Sequence, residues 1–242
     1  MPPLPDLIIS LIIILAAALA QGFLGFGFGI LAMSSLTLSQ DLIHASGVVN
    51  ITGIVLTGWM TFQLRHHILR KLTLRMLPGV LLGVFLGVTA LGRLERDLMV
   101  SILGASIAIV AAWNLAQPRL RWRESTWLDT TMALLGGSMS GAFNTGGPPL
   151  IIHLYRRPES PDALKATLQI LFLAMSLWRL PLAATQGLLD QAIWLNATAA
   201  VPAVIIGVAS GIALARRVHP DRFRRVAWIG LGLLGIALLF SA

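Results

Sequence analysis

The chain of 242 residues has no cysteine, a single tyrosine, and charged side chains at only 12% of its positions. Without cysteine there is no disulfide, no thiolate nucleophile and no Cys-ligated zinc or iron–sulfur site. The scarcity of charge, against about a quarter in soluble domains, together with a mean hydropathy of +0.81, excludes an ordinary soluble globular protein. Acidic residues are the rarer sign. All ten of them, Asp6, Asp41, Glu95, Asp97, Glu124, Asp129, Glu159, Asp162, Asp190 and Asp221, fall in loops or at the ends of apolar runs, so a buried carboxylate proton relay is not expected. No GxxxxGK[ST] loop is present, so the chain alone does not hydrolyse ATP. Met1 to Asp6 carries no Lys or Arg and no clear small-residue cleavage site follows, so the first apolar stretch reads as part of the mature fold.

What the chain does have is apolar runs. Eight segments are long enough to be embedded in a hydrocarbon core of about 30 Å: Leu7–Leu38, Leu42–Leu64, Leu74–Leu91, Leu98–Ala116, Thr126–Tyr155, Ala163–Gln186, Ala192–Ala215 and Val226–Phe240. The first and fifth are too long for one simple crossing, and each is interrupted by helix breakers, Gly22-Phe-Leu-Gly25-Phe-Gly27-Phe-Gly29 and Asn144-Thr-Gly-Gly-Pro-Pro149. The net charge of +8 is concentrated in the loops, which points to membrane orientation and not to nucleic acid. If all eight segments crossed, 7 basic residues would face the cytoplasm and 10 the outside. If segments one and five enter and return, 15 lie inside and only Arg93 and Arg96 outside. The charge count thus makes segment five re-entrant, and the resemblance of segment one to segment five extends the same course to it, since its uncharged flanks are silent; both termini are then expected outside a cytoplasmic membrane.

The halves, residues 1–120 and 121–242, resemble each other. Ser39-Gln-Asp-Leu-Ile-His-Ala-Ser46 reads against Ser160-Pro-Asp-Ala-Leu-Lys-Ala-Thr167. Pro78, Gly83 and Gly87 have the spacing of Pro202, Gly207 and Gly211, and Asp97 falls opposite Asp221. One re-entrant segment plus three crossings per half makes the second half inverted relative to the first. The fold expected is an all-α polytopic membrane protein of two inverted repeats, an architecture of secondary transporters.

Broken helices in lipid need a polar interior to satisfy the freed backbone, and the restarting helix offers N–H groups and a positive dipole end to an anion. Asn144, Thr145, Gly146 and Gly147 are candidate donors, with Pro148 and Pro149 at a helix start; Gly25 and Gly27, with Phe26 and Phe28 as walls, are their counterparts. Segment six carries a polar stripe, Lys165, Gln169, Ser176 and Arg179, with Phe172 between. Arg179 reads either as an anion ligand or as an arginine snorkelling to the interface. Asn50 reads as a substrate contact or as interhelical glue. His44 and His153 are the candidate protonation sites if transport is coupled to protons, and helix-end histidines otherwise. Trp122, Trp127 and Trp194 read as interfacial anchors, and Trp59 and Trp178 as pathway or lipid-facing residues. No metal or cofactor is expected.

Gly22-x-x-Gly25-x-Gly27-x-Gly29, Gly141-Ala-Phe-Asn-Thr-Gly-Gly-Pro-Pro149 and the two halves together resemble the sulfite exporter TauE/SafE family of membrane anion transporters. The resemblance implies transport, usually export, of sulfite or organosulfonates, with a small sulfur-containing anion and membrane lipid as partners. In place of the triple glycine common in that family, Phe26 and Phe28 alternate with the glycines. A passive anion channel is the neighbouring alternative. An intramembrane hydrolase is the distant one, since Ser138-Met-Ser140-Gly141 has a serine where the GxSG of rhomboid proteases has its first glycine, and no histidine follows on a suitable later helix.

Overall fold

The computed structural model describes residues 4–91, 93, 95–116, 125–217, 229, 230, 232, 233 and 235–240. The expected half boundary near residue 120, Arg119, Arg121, Trp122, Arg123, Arg222, Arg224, Arg225 and Asp221 of the repeat match lie outside the described residues. Nine α-helices are described, α1 Leu4–Leu24, α2 Phe28–Leu36, α3 Leu42–Leu64, α4 Arg70–Leu91, α5 Arg96–Ala116, α6 Thr126–Phe143, α7 Gly147–Leu154, α8 Pro161–Thr185 and α9 Gln191–Ala215, and residues 235–240 are helical again. No strand occurs among the described residues. Five helices, α1, α3, α4, α8 and α9, are long and apolar enough to cross a membrane. The protein is an all-α polytopic membrane protein.

Local chemistry sets several helix starts. The Asp41 carboxylate accepts the Ile43 N–H at 2.8 Å ahead of α3, and Asp190 accepts the Ile193 N–H at 2.8 Å ahead of α9. Ser160 caps α8, whose first residue is Pro161, a position where a missing N–H costs nothing.

Both interrupted segments double back as hairpins. Beyond α2, the Gln40 amide donates to the Ser10 hydroxyl near the start of α1 at 2.6 Å. In the second hairpin, a Cβ on Gly136 of α6 would lie 2.8 Å from Leu150 Cγ of α7 and 3.0 Å from the Gly146 carbonyl, so only glycine lets the returning helix lie this close. At the foot of that hairpin Asp129 on α6 lies 2.6 Å from His153 Nε2 on α7, accepts from Arg157 at 2.5 Å, and accepts from Arg75 of α4 at 3.0 Å. Asp129 is fully buried. Asp129 does lie at a segment end, in the first turn of α6, but three cationic or proton-bearing partners hold it inside the bundle, which one sequence position cannot reveal.

The helix ends fall into two sets. Leu64 of α3, Lys165 of α8 and Arg216 just past α9 line one cavity, and the Leu69 N–H before α4 donates to Thr167 of α8 at 3.2 Å. This end carries Arg65, Arg70, Lys71, Arg156 and Arg217 as well and is called the basic end below. At the opposite end His44 of α3 meets Asn196 of α9 at 2.8 Å, and Gly47 faces Ile193.

Each hairpin packs against a glycine-bearing helix from the other half of the chain. A Cβ on Gly87 of α4 would strike the Ser138 carbonyl and come 2.9 Å from Gly141 Cα on α6. A Cβ on Gly211 of α9 would strike the Leu19 carbonyl and come 3.0 Å from Gly22 Cα on α1. Such backbone-to-backbone approach lets dispersion hold helices together where lipid supplies no hydrophobic drive. Pro78 and Pro202 on the same helices are exposed.

Candidate functional site: two hairpin tips around one cavity

The first tip is residues 25–27. Gly25 and Gly27 stand at φ +85 and +109, where a side chain would be strained. The backbone groups released by the break find partners elsewhere. Gln169 on α8 donates to the Gly25 carbonyl at 2.6 Å, and the Tyr155 hydroxyl reaches the Leu24 carbonyl at 3.4 Å. Gln21 accepts the Phe28 N–H at 2.8 Å and donates to Gln169 at 3.1 Å. Two buried amides thus stand in for the missing helical bonds.

The second tip is residues 144–146, with Asn144 at φ 54. Its amide nitrogen donates to the Ser46 carbonyl at 2.7 Å and to the Ser46 hydroxyl at 3.2 Å. Arg179 donates from Nε to the Gly141 carbonyl at 2.9 Å and from an Nη to the Ser46 hydroxyl. Tyr155 and Gln169 of the second half hold the first tip, and Ser46 of the first half holds the second.

The tips touch each other. Gly29 has no room for a Cβ because the Asn144 carbonyl occupies that position. Beside this contact opens a small cavity of about 40 Å³. Gln21 and residues 27–30 line it from the first hairpin, Ser140 and residues 144–146 from the second. Val49, Gly53 and Thr57 of α3 face Phe172 and Ser176 of α8 across it.

The short helices α2 and α7 both begin in its wall; Gln21 caps the first N–H of α2, at Phe28, and no side chain caps the start of α7. At α7 the prolines 148 and 149 have no N–H, so the free donors are the amides of the tip itself. Thr145, 1% exposed, has an Oγ1 with no partner, and Asn50, fully buried, donates to the Ser176 carbonyl at 3.4 Å while its Oδ1 has none. Arg179 is 1% exposed, and no described carboxylate pairs with it. Two positive helix ends and one unbalanced guanidinium make this an interior suited to an anion.

Helix α8 orders these features along one face. From the basic end come Lys165, then Gln169 on the first tip, then Phe172 and Ser176 in the cavity wall, then Arg179 behind the second tip. With a rise of about 1.5 Å per residue, the stripe read from sequence is a depth scale on which each residue has its own task.

Of the expected site residues, Gly27, Phe28, Asn144, Thr145 and Gly146 line the cavity. Gly25 and Gln169 are bonded to one another within the first tip. Phe26 packs edge-on against Tyr155, ring centres 5.8 Å apart, and Gly147 opens α7. Asn50 stands next to the wall residue Val49. Arg179 does not snorkel, being tied to Gly141 and Ser46 instead. Trp59 and Trp178 are 39% and 42% exposed on the outer surface and do not line the cavity.

Sequence reasoning missed Gln21 as a site residue and Ser140 as a wall. They occupy matching places, since the Gln21 carbonyl accepts the Gly25 N–H at 2.7 Å and the Ser140 carbonyl accepts the Asn144 N–H at 2.9 Å. A lone amide one helical turn before a glycine run was the available signal. Among the described residues no histidine is hydrogen-bonded to Ser140; His153 is engaged with Asp129 and His44 with Asn196.

Residues 10–238 match the family described as sulfite exporter TauE/SafE. The chain is 31% identical over 231 residues, 92% of this chain and 89% of the relative, to the probable sulfite/organosulfonate exporter TauE of Cupriavidus necator. It is 27% identical over 167 residues, 67% of this chain and 69% of the relative, to the probable inner membrane transporter protein TsaS of Comamonas testosteroni. No solved structure matches it significantly.

Proposed function

The chain belongs to the sulfite exporter TauE/SafE family, and from that premise we propose that it is a secondary transporter carrying a small sulfur-containing anion, sulfite or an organosulfonate, out of the cell. The observation that carries this reading is the central cavity, where two helix starts meet between the hairpin tips, that of α7 without a side-chain cap, with the unpaired charge of Arg179 behind the second tip. Thr145 and the tip amides supply donors for the oxyanion, and Phe28 and Phe172 supply an apolar wall for an organic substituent.

The tips lie at different depths along α8, the first at Gln169 and the second at Arg179. This arrangement favours a carrier in which one tip withdraws at a time over a continuous channel. The reciprocal packing of Gly87 on Gly141 and Gly211 on Gly22 supports an inverted-repeat origin for such alternation. By the positive-inside bias the basic end faces the cytoplasm and both termini lie outside. His44 and His153 are engaged with Asn196 and Asp129 away from the cavity wall, so proton coupling, where present, rests on the protonation state of the anion.

The test is counterflow of labelled sulfite, thiosulfate, sulfoacetate and acetate in proteoliposomes, against protein-free vesicles. Counterflow selective for a sulfur anion supports the reading. Flux without counterflow and far above carrier rates would establish the channel instead, and folded protein with no flux would remove the substrate assignment.

A further inference from the structure

A second cavity, of about 200 Å³, lies on the basic side of the first tip. Gly22 in its wall is the chain neighbour of Gln21 in the wall of the central cavity, so the first hairpin borders both spaces. Its outer wall carries Gln63, Lys165 and Arg216. The Lys165 side chain lies flat across the tip, with Cγ, Cδ and Cε at 2.8, 3.1 and 3.2 Å from the place a Cβ on Gly25 would take. Glycine at that position makes the tip self-supporting and also gives the lysine its bed.

Neither Lys165 nor Arg216 is in an ion pair with a described carboxylate. Asp162, the one acid in the wall, stands one turn before Lys165 yet lies beyond ion-pair distance of it. Two cations and an amide therefore face an open space against one acid, beside the tip that closes the central cavity. Lys165 precedes Gln169 by one turn of α8, so the two side chains sit on successive levels of the same face, one on the tip and one outside it.

We propose that this cavity is a second anion site, a loading site in which Lys165 and Arg216 hold the oxygens of a sulfite or sulfonate before it passes the first tip. The proposal rests on the transport reading above and adds where the anion binds first and which residue passes it inward. A lysine suits the task because its ammonium is a point charge on a flexible stem, free to turn from the outer cavity toward the tip. The apolar walls at Met60 and Ile212 accommodate the carbon end of an organosulfonate.

The experiment uses the full chain in proteoliposomes of known orientation and measures labelled sulfite and sulfoacetate exchange from each face. The variants are Lys165→Gln, Lys165→Arg and Arg216→Gln, each with its thermal unfolding recorded. Losing one charge-assisted contact is expected to raise half-saturation from the basic-end face by about tenfold or more in Lys165→Gln. Arg216→Gln shifts it in the same direction, Lys165→Arg returns it close to wild type, and half-saturation from the opposite face changes less than about twofold in all three.

Equal shifts on both faces, or none on either, in stably folded Lys165→Gln would overturn the loading site. So would an effect present in vesicles containing anionic lipid and absent in pure phosphatidylcholine, which would assign the cations to a lipid headgroup. A wild-type protein carrying no sulfur anion removes the transport reading and the loading site together. Wild-type transport with an insensitive Lys165→Gln removes the loading site alone.

Discussion

Replacing Arg179 by glutamine removes the one full charge held next to the central cavity and keeps an amide donor there. The guanidinium is charged at any working pH, is 1% exposed, and holds the Gly141 carbonyl and the Ser46 hydroxyl. Ser46 also anchors Asn144, a cavity wall residue. Arg179 lies three residues beyond Ser176, and helical rise with side-chain reach puts its charge roughly 8 Å from an anion in the cavity. At an effective dielectric of about 20, that separation contributes about 2 kcal/mol of attraction. Half-saturation for sulfite uptake should therefore rise by about thirtyfold in Arg179→Gln.

Arg179→Lys keeps the charge and loses the forked geometry, so its half-saturation should stay within a few-fold of wild type, at some loss of thermal stability. The assay is initial uptake over a sulfite concentration series in proteoliposomes, with unfolding of each variant followed in detergent. Unchanged half-saturation in well-folded Arg179→Gln would refute the electrostatic argument. Equal impairment of the glutamine and lysine variants would refute it too, since the hydrogen bonds to Gly141 and Ser46 would then be what matters.

Thr145→Val replaces a buried, unpartnered hydroxyl with a methyl of similar shape; thermal stability should hold or rise while half-saturation for the anion increases by about tenfold, and unchanged half-saturation would remove Thr145 from the site. Gly87→Ala drives a methyl into the Ser138 carbonyl and should destabilise the protein by about 1–3 kcal/mol, whereas Gly58→Ala, whose nearest atom is Leu173 Cδ1 at 3.9 Å, should stay within about 0.5 kcal/mol; equal thermal unfolding of the two would contradict the close helix approach. Asp129→Asn leaves Arg75, Arg157 and His153 without their shared anion and should lower stability by about 3 kcal/mol in denaturant titrations, an outcome that a purely surface ion pair would not give. Cysteine at Ser160 in this cysteine-free chain should react with an impermeant maleimide from the cytoplasmic face and at Gln186 from the outer face; the reverse pattern would turn the molecule over.

The hairpins were legible because glycine runs and paired prolines cannot continue a helix, and for the second hairpin also because the basic loop residues on either side of it call for the same side of the membrane. The shared spacing of Gly83 and Gly87 and of Gly207 and Gly211 was legible as a sign of close helix packing. That each pair faces the hairpin of the opposite half was not, since small residues announce a close approach and not the identity of the neighbour. The stripe on α8 showed which residues share a face, and it made Gln169 and Arg179 look alike as ligands. In the fold one supports the first tip and the other the second, because the cavity lies between their levels.

By itself the sequence determined that the chain is a bundle of membrane helices, that two of its segments break and return, and which end is rich in positive charge. These follow from hydrophobic length, breaker residues and charge bias, which act along the chain and need no partner. The tertiary structure alone decided that the two tips meet at Gly29 and Asn144, that Asp129 is buried among three partners, and that Lys165 lies across Gly25 outside the central cavity. Those outcomes depend on backbone atoms brought together from opposite halves, and a backbone amide or carbonyl in want of a partner leaves no mark of its own in the order of side chains.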